Sequence, residues 1–372
     1  MRYYIISGEA SGDLHGSNLI KQLKISDNQA EIRAWGGSLM ENAGAHIVKH
    51  YRDLAFMGFS EVLMNLKTIL GNLSFCKSDI ESFKPDAIIL IDYPGFNLRI
   101  AKWAHKAGYK ILYYISPQIW AWKQSRVHQI KAYVDEMYVI LPFEKDFYKK
   151  FGVDVHYVGH PLIDAIEDYK KIALSQSEFQ KKNNLSEKPI IALLPGSRKQ
   201  EIATMLPIMM KAIRELGDFE IIIAGAPSQD EEYYRQILKR TQVKILFEST
   251  YEILAHAHAA LVTSGTATLE TAIFKVPQVV CYKGGLVSYL IARALVKVKY
   301  ISLVNLIMNK IVVKELIQNE MNVKEVKREL NRIINEEPYR QKMLANYNEL
   351  YQKLGGVGAS AVAAKQMFKT LQ

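Results

Sequence analysis

Short apolar runs alternate along this chain with longer amphipathic stretches, and few folds accept that rhythm. Tyr3–Ile6, Ala87–Ile91, Ile111–Ile115 and Met137–Leu141 read as buried strands in the first half. Ile190–Leu194, Ile221–Ala224, Leu261–Thr263 and Gln278–Cys281 read the same way in the second. Each run is bounded by Gly, Pro, Asp or Ser, and helical patterns lie between them, such as Asp13–Lys24 with Leu14, Ile20 and Leu23. Strands that are apolar on both faces need helices on both sides, which is the signature of parallel α/β sheets. The chain therefore reads as α/β, with two doubly wound Rossmann-like domains. The first spans 1–164 and the second 186–354, with a linker in the Lys-, Glu-, Gln- and Ser-rich stretch from Asp164 to Lys188. Gly355, Gly356 and Gly358 break the chain again before a last helix, Ala359–Leu371. That segment, about 359–372, is expected to pack back on the first domain or on a partner chain.

The composition excludes several classes. Hydrophobic residues at 49% and aromatics at 10% supply a large core, so disorder is not the main state. Two cysteines, Cys76 and Cys281, make no disulfide framework, and no Cys/His cluster suggests a metal. The cysteine usage fits a reduced, cytoplasmic protein. No run of about 18 apolar residues lacks a charge, so no spanning helix is expected. Met1–Ile6 enters a glycine turn and reads as a first strand rather than a secretory signal. The net charge of +10 favours anionic partners, whether phosphates, acidic lipid surfaces or nucleic acid.

Ligands of open α/β sheets bind at the carboxyl ends of strands, so the residues after each run carry the functional argument. Ser7-Gly8-Glu9-Ala10-Ser11-Gly12-Asp13 lacks the dinucleotide GxGxxG pattern, yet its glycines admit close approach and the next helix aims N–H groups outward. Asp13 fits a helix-dipole partner equally well. Asp92-Tyr93-Pro94-Gly95-Phe96-Asn97 sets a carboxylate at a strand end, where it serves either as a base for a sugar hydroxyl or as a helix cap. Ser116-Pro117-Gln118-Ile119-Trp120-Ala121-Trp122, beside Lys123 and Arg126, offers a wall for a ring or acyl chain and an adjacent anion site, and one of the two Trp belongs to core packing on this reading. Pro195-Gly196-Ser197-Arg198-Lys199 is not a Walker A loop, but Gly196, Ser197 and Arg198 together suit a phosphate. In Ser264-Gly265-Thr266-Ala267-Thr268-Leu269-Glu270, Ser264 or Thr266 is expected to cap a helix that attracts a diphosphate. With Thr266 as cap, Glu270 lies one turn in, within reach of ribose hydroxyls.

One stretch suggests a surface. From Ser60 to Phe75, Val62, Leu63, Leu66, Ile69, Leu70 and Leu73 recur at helical spacing, preceded by Phe56, Met57 and Phe59. A core-facing helix is the plain reading; a face this broad also suits an interfacial helix, with Met57, Val62, Leu66, Ile69 and Leu70 as membrane or acyl contacts. Met205–Met210, with Pro207 inside it, forms a second apolar patch.

GEASGD, MGFSEVL, IDYPGFN, SPQIWAW, LPFEKDFY, LLPGSR, SGTATLE and YISLVNL, in this order, closely resemble the lipid-A-disaccharide synthase family. The resemblance implies the GT-B glycosyltransferase fold, two domains facing across a cleft, and an inverting mechanism with no cofactor and no metal. It implies condensation of UDP-2,3-diacylglucosamine with 2,3-diacylglucosamine 1-phosphate to a β-1,6-linked disaccharide and UDP, at the cytoplasmic face of the inner membrane, with no nucleic acid and with a homodimer expected. Residue by residue it makes Asp92 the base and places Glu9, Ser11 and Asp13 on the acceptor side. It assigns Arg198 to the diphosphate and Glu270 to the ribose, and it gives Asn305 a place in the UDP-sugar site. Val304 replaces a usual proline, and Gln118 a small residue, in the acceptor loop that also holds Trp120. The competing readings are another GT-B enzyme on UDP-N-acetylglucosamine, either the lipid-linked transferase of peptidoglycan synthesis or a 2-epimerase, and a non-catalytic membrane-binding module.

Overall fold

The computed structural model describes residues 1–54, 66–239, 241–285 and 298–372. The chain divides into two compact units, Met1–Ala165 with Leu354–Gln372, and Ile166–Lys353.

Unit 1 is built on a seven-stranded parallel sheet. Its strands are β1 (Arg2–Ile6), β2 (Glu31–Gly36), β3 (His46–His50), β4 (Ala87–Ile91), β5 (Lys110–Tyr114), β6 (Glu136–Val139) and β7 (His156–Tyr157), in the order β3-β2-β1-β4-β5-β6-β7. The central β4, Ala-Ile-Ile-Leu-Ile, is buried throughout and pairs with β1 and β5. Unit 2 holds a six-stranded parallel sheet of β8 (Ile190–Leu194), β9 (Glu220–Gly225), β10 (Lys244–Phe247), β11 (Ala257–Thr263), β12 (Gln278–Tyr282) and β13 (Lys314–Ile317), in the order β10-β9-β8-β11-β12-β13. Each sheet reverses its strand order once, between β1 and β4 and between β8 and β11.

Five of these strands escape a search for apolar runs, for identifiable reasons. β2 carries Arg33, whose guanidinium forks onto Asp79 at 2.5 and 2.9 Å, so a charge sits in mid-strand with its partner on a helix. β3 and β10 lie at sheet edges and are only half-buried, which lets His46, Lys49 and Lys244 into them. β7 is two residues long. β13 includes Glu315, whose carboxylate binds Ser302 and Asn305.

The stretch from Asp164 to Lys188 is not a bare linker. It contains helices Pro161–Lys170 and Gln176–Lys182, the second started by a capping box between Ser175 and Glu178. Phe179 then packs into the core of unit 2 with Ile190, Ala192 and Ile222. Met205–Met210 is likewise core rather than patch, since Met205, Leu206 and Met209 are fully buried on helix Lys199–Ala212. Of the apolar stripe, Met57, Val62 and the side chain of Leu66 lie outside the described residues. Helix Leu66–Phe83 buries Leu73, Cys76 and Ile80, leaves Ile69 half-buried, and exposes Leu70 at 55% and Phe75 at 48%. Among the described residues no helix is long and apolar enough to cross a membrane.

Gly355, Gly356 and Gly358 all take left-handed backbone, and helix Ala359–Leu371 then packs against helix Ala10–Ser26 of the same unit. Asp164 fastens this return, accepting from the amides of Gly358 at 2.6 Å and Ser360 at 2.8 Å. A carboxylate at a helix N-terminus combines capping with the helix dipole. Asp164→Ala should therefore cost about 1–2 kcal/mol, and limited proteolysis should show faster cutting around residues 355–358; unchanged proteolysis would remove Asp164 from this role.

Candidate active site

Four of the polar loops flank the two points where strand order reverses. The loops after β1 and β4 meet at the reversal in unit 1, and those after β8 and β11 at the reversal in unit 2. Neighbouring loops diverge at such a point and leave room for a ligand.

Asp92 stands at the end of β4, with left-handed backbone at both Asp92 and Tyr93, φ 42° and 49°. Each such residue costs about 1–2 kcal/mol unless something holds it. Here the Asp92 carbonyl accepts from Asn97 Nδ2 at 2.8 Å and from the Tyr113 hydroxyl at 2.5 Å. The carboxylate is half-buried. Burial first, and the nearby Glu9 charge second, push its pKa from 3.8 up to about 7, against the Tyr93 amide, which pulls it down. A carboxyl titrating near neutrality at a ligand-binding edge is equipped to accept a proton.

Around it, Gly8 lies beneath the Tyr93 ring, where a Cβ would come within 2.5 Å of that ring. The glycine serves this contact, and Glu9 and Ser11 project as exposed side chains beside it. Asp13 has a different task. It is buried, and its carboxylate accepts from the amides of Gly37 (2.8 Å), Met40 (3.0 Å) and Leu39 (3.2 Å), capping helix Ser38–Asn42. Those donors engage both of its oxygens.

In the loop after β5 the two Trp separate. Trp120 is 7% exposed, meets Phe143 edge-on and donates Nε1 to Glu144 Oε1 at 3.2 Å. It packs as a core residue, as the sequence expects of one of the two Trp. Trp122 is 52% exposed, with Arg126 and Lys123 over its ring, and Gln118 is exposed on the same loop. Glu144 is fully buried and also accepts from the Ile140 and Leu141 amides; burial raises its pKa to about 8 while those donors pull it down.

In unit 2, Gly196 adopts φ 111°, and a Cβ there would come within 2.6 Å of Glu201 Oε2. That oxygen accepts from the amides of Ser197 (3.1 Å) and Arg198 (3.3 Å), so these N–H groups converge on one anionic position. The Arg198 side chain is exposed. After β11 the cap of helix Thr266–Ile273 is Gly265, with no side-chain bond. Neither expected cap is used: Ser264 Oγ donates to the Ile301 carbonyl at 3.0 Å, and Thr266 is the exposed first helical residue. The first amides of the helix therefore carry no side-chain cap. Glu270, one turn in, is half-buried; burial lifts its pKa to about 7, with the Tyr251 phenol beside it pulling the other way. Asn305 is buried and saturated. Its Oδ1 accepts from Val312 and Val313, and its Nδ2 donates to the Val313 carbonyl and Glu315. It holds the turn before β13. Val304 fits there as a buried residue of helix Leu303–Met308. No group of three or more His, Cys, Asp or Glu among the described residues is placed to hold a metal ion.

Residues 3–367 match the family model described as Lipid-A-disaccharide synthetase. The chain belongs to the lipid-A-disaccharide synthase family. It is 39% identical over 368 residues to the lipid-A-disaccharide synthase of Syntrophus aciditrophicus (strain SB), covering 97% of this chain and 95% of that one. The corresponding protein of Coxiella burnetii (strain Dugway 5J108-111) is 37% identical over 366 residues, with 97% and 96% covered. Solved structures share the fold. The UDP-GlcNAc 2-epimerase from Neisseria meningitidis bound to UDP-GlcNAc superposes with a TM-score of 0.66 at 12% identity, covering 100% and 99%. The calicheamicin glycosyltransferase gives 0.59 at 14% identity, covering 100% and 98%. The architecture is that of GT-B glycosyltransferases and epimerases, and membership of the lipid-A-disaccharide synthase family makes the chain a hexosyltransferase of lipid A biosynthesis.

Tyr113, Glu144 and Tyr251 were not legible as parts of these loops. Tyr113 lies inside an apolar run, and only the fold brings its hydroxyl to Asp92. Asp13 and Asn305 give the clearest test of the structural roles. Asp13→Ala and Asn305→Ala should each lower stability by about 1–3 kcal/mol, the cost of orphaned buried amides, measured as a shift of the urea midpoint; an unshifted midpoint would remove either residue from this structural role.

Proposed function

We propose that the chain condenses UDP-2,3-diacylglucosamine with 2,3-diacylglucosamine 1-phosphate, forming the β-1,6-linked disaccharide 1-phosphate and releasing UDP. Asp92 takes the proton of the acceptor 6-hydroxyl. The oxygen attacks the anomeric carbon from the face opposite UDP, the bond to the diphosphate breaks, and the configuration inverts. Charge grows on the leaving diphosphate. The uncapped amides at Thr266 and the Arg198 guanidinium are the groups suited to receive it, in the manner of an oxyanion hole. Glu270 binds the ribose hydroxyls. Glu9 and Ser11 line the acceptor side with Gln118. The reaction as proposed needs no metal and no cofactor.

The observation that carries this reading is the carboxyl of Asp92. It is partly open to solvent, raised to about 7, and fixed at the strand-order reversal by bonds to its own carbonyl. Asp92→Asn should keep UDP binding and abolish turnover. The pH dependence has a definite sign. As a base Asp92 acts ionised, so kcat/KM should fall as pH drops through about 7. Stability runs the other way: a carboxyl held above its unfolded value costs nothing below pH 4 and its full penalty above pH 7. The Asn variant should therefore melt higher than the parent at pH 8 and no higher at pH 4. Normal turnover in the variant would end the assignment.

We also propose peripheral binding at the inner face of the inner membrane, supported by the net charge of +10 and by Leu70 and Phe75, exposed on helix Leu66–Phe83. Leu70→Ser with Phe75→Ser should reduce co-sedimentation with anionic vesicles while leaving the melting temperature within a few degrees; full retention on the vesicles would exclude these contacts.

A further inference from the structure

The loop after β5 carries a cation that the family reading leaves without a task. Arg126 is half-buried, yet among the described residues its guanidinium forms no ion pair and donates no hydrogen bond. Its Cζ lies 5.4 Å from the centre of the Trp122 ring, and Lys123 Nζ lies 5.8 Å from the same centre. Partial burial of an unpaired charge is unfavourable. Stacking on an indole recovers part of that cost and leaves the N–H fork unengaged. An exposed aromatic face, an unengaged fork and a second cation together match a phosphate attached to an apolar-faced ring.

The position of this group matters as much as its chemistry. β5 pairs with β4, Ile91 opposite Tyr114, and the Asp92 amide donates to the Tyr114 carbonyl at 3.3 Å. The loop therefore starts beside the base. Arg126 lies close enough to Tyr113 for its charge to favour the phenolate, and the Tyr113 hydroxyl donates to the Asp92 carbonyl. The charge that shifts Asp92 itself is Glu9. Arg126 is thus one residue removed from the base. A hexose 1-phosphate acceptor needs such a separation, because its 6-hydroxyl and its anomeric phosphate lie at opposite ends of the ring.

We propose that Arg126, with Trp122 as its stacking platform, binds the phosphate of the acceptor and sets the preference for an acceptor phosphorylated at its anomeric position. The inference rests on the acceptor class named above, and no atoms are transferred in it.

The test uses the full chain and two acceptors, 2,3-diacylglucosamine 1-phosphate and the same sugar without its phosphate. The parent should favour the phosphorylated acceptor in kcat/KM by roughly 10- to 100-fold, the size of a charge-assisted bidentate contact. Arg126→Gln should bring that ratio close to one, chiefly through KM, with the KM for the UDP-sugar unchanged. Arg126→Lys should restore part of it, since Lys supplies charge without the fork. A variant that keeps the parental ratio would overturn the assignment. So would an equal loss on both acceptors accompanied by lost binding to anionic vesicles, which would give the cation to the lipid surface. Titration with glucosamine 1-phosphate, followed by tryptophan fluorescence, separates this inference from the reaction it rests on. Saturable quenching in the parent that Arg126→Gln abolishes supports the site even where no disaccharide forms, and identical quenching in both proteins refutes it.

Discussion

Two parallel sheets buried on both faces leave polar chemistry almost nowhere to go. Every residue of β4 and β8 is buried, and a charge placed inside either strand would need a partner at hand, as Arg33 needs Asp79 in β2. The chain ends of the strands are the first positions where a carboxylate or an amide meets both fixed backbone and solvent. Where strand order reverses, adjacent loops part, so the fold itself selects the loops after β1, β4, β8 and β11. Burial thus confines the polar loops of each unit to its strand ends before any individual side chain is considered.

That selection explains what was readable in the sequence. β4 and β8 have the same ends in the apolar pattern and in the structure, because a fully buried strand is apolar at each position and Pro, Asp or Gly stops it. Helix Ala359–Leu371 was readable from its glycines, whose left-handed backbone fixes where it starts. β3, β10 and β13 were not readable, since edge positions and a Glu315 bound to Ser302 and Asn305 erase the pattern. Helix Gln176–Lys182 was obscured by its charged face, which hides a single buried apolar anchor, Phe179, next to a buried Gln180.

Site residues follow the same logic at finer grain. A motif marks which residues matter without telling what each one holds. Asp13, Trp120 and Asn305 sit in recognisable motifs, yet all three are committed to partners of their own unit. The reverse holds for Trp122 and Arg126: nothing in their spacing distinguishes them from Trp120 and Lys123. Only the fold shows that one indole is covered and the other open, and that among the described residues the guanidinium beside the open one lacks an acid. A sequence specifies such differences through packing partners far along the chain, Glu144 for Trp120 and Gly37 for Asp13, which lie 24 residues away in both cases.

Asp92, Glu144 and Glu270 are all raised, and burial is the first cause in each. The direction of a shift therefore does not separate a reacting group from a structural one. The donors around each carboxylate differ, however. Glu144 is enclosed, and its two oxygens accept from two amides and an indole, a full complement that removes any need for a ligand. Asp92 is different: the strong bonds in its neighbourhood go to its carbonyl, which fixes the backbone, and its carboxylate is left half-exposed beside the like charge of Glu9. Strain and repulsion of that kind persist only where the surrounding structure enforces them. Asn97 and Tyr113 supply that enforcement from a helix and from the neighbouring strand. The energy they contribute holds the Asp92 carboxyl in a position that its left-handed backbone and the Glu9 charge both disfavour.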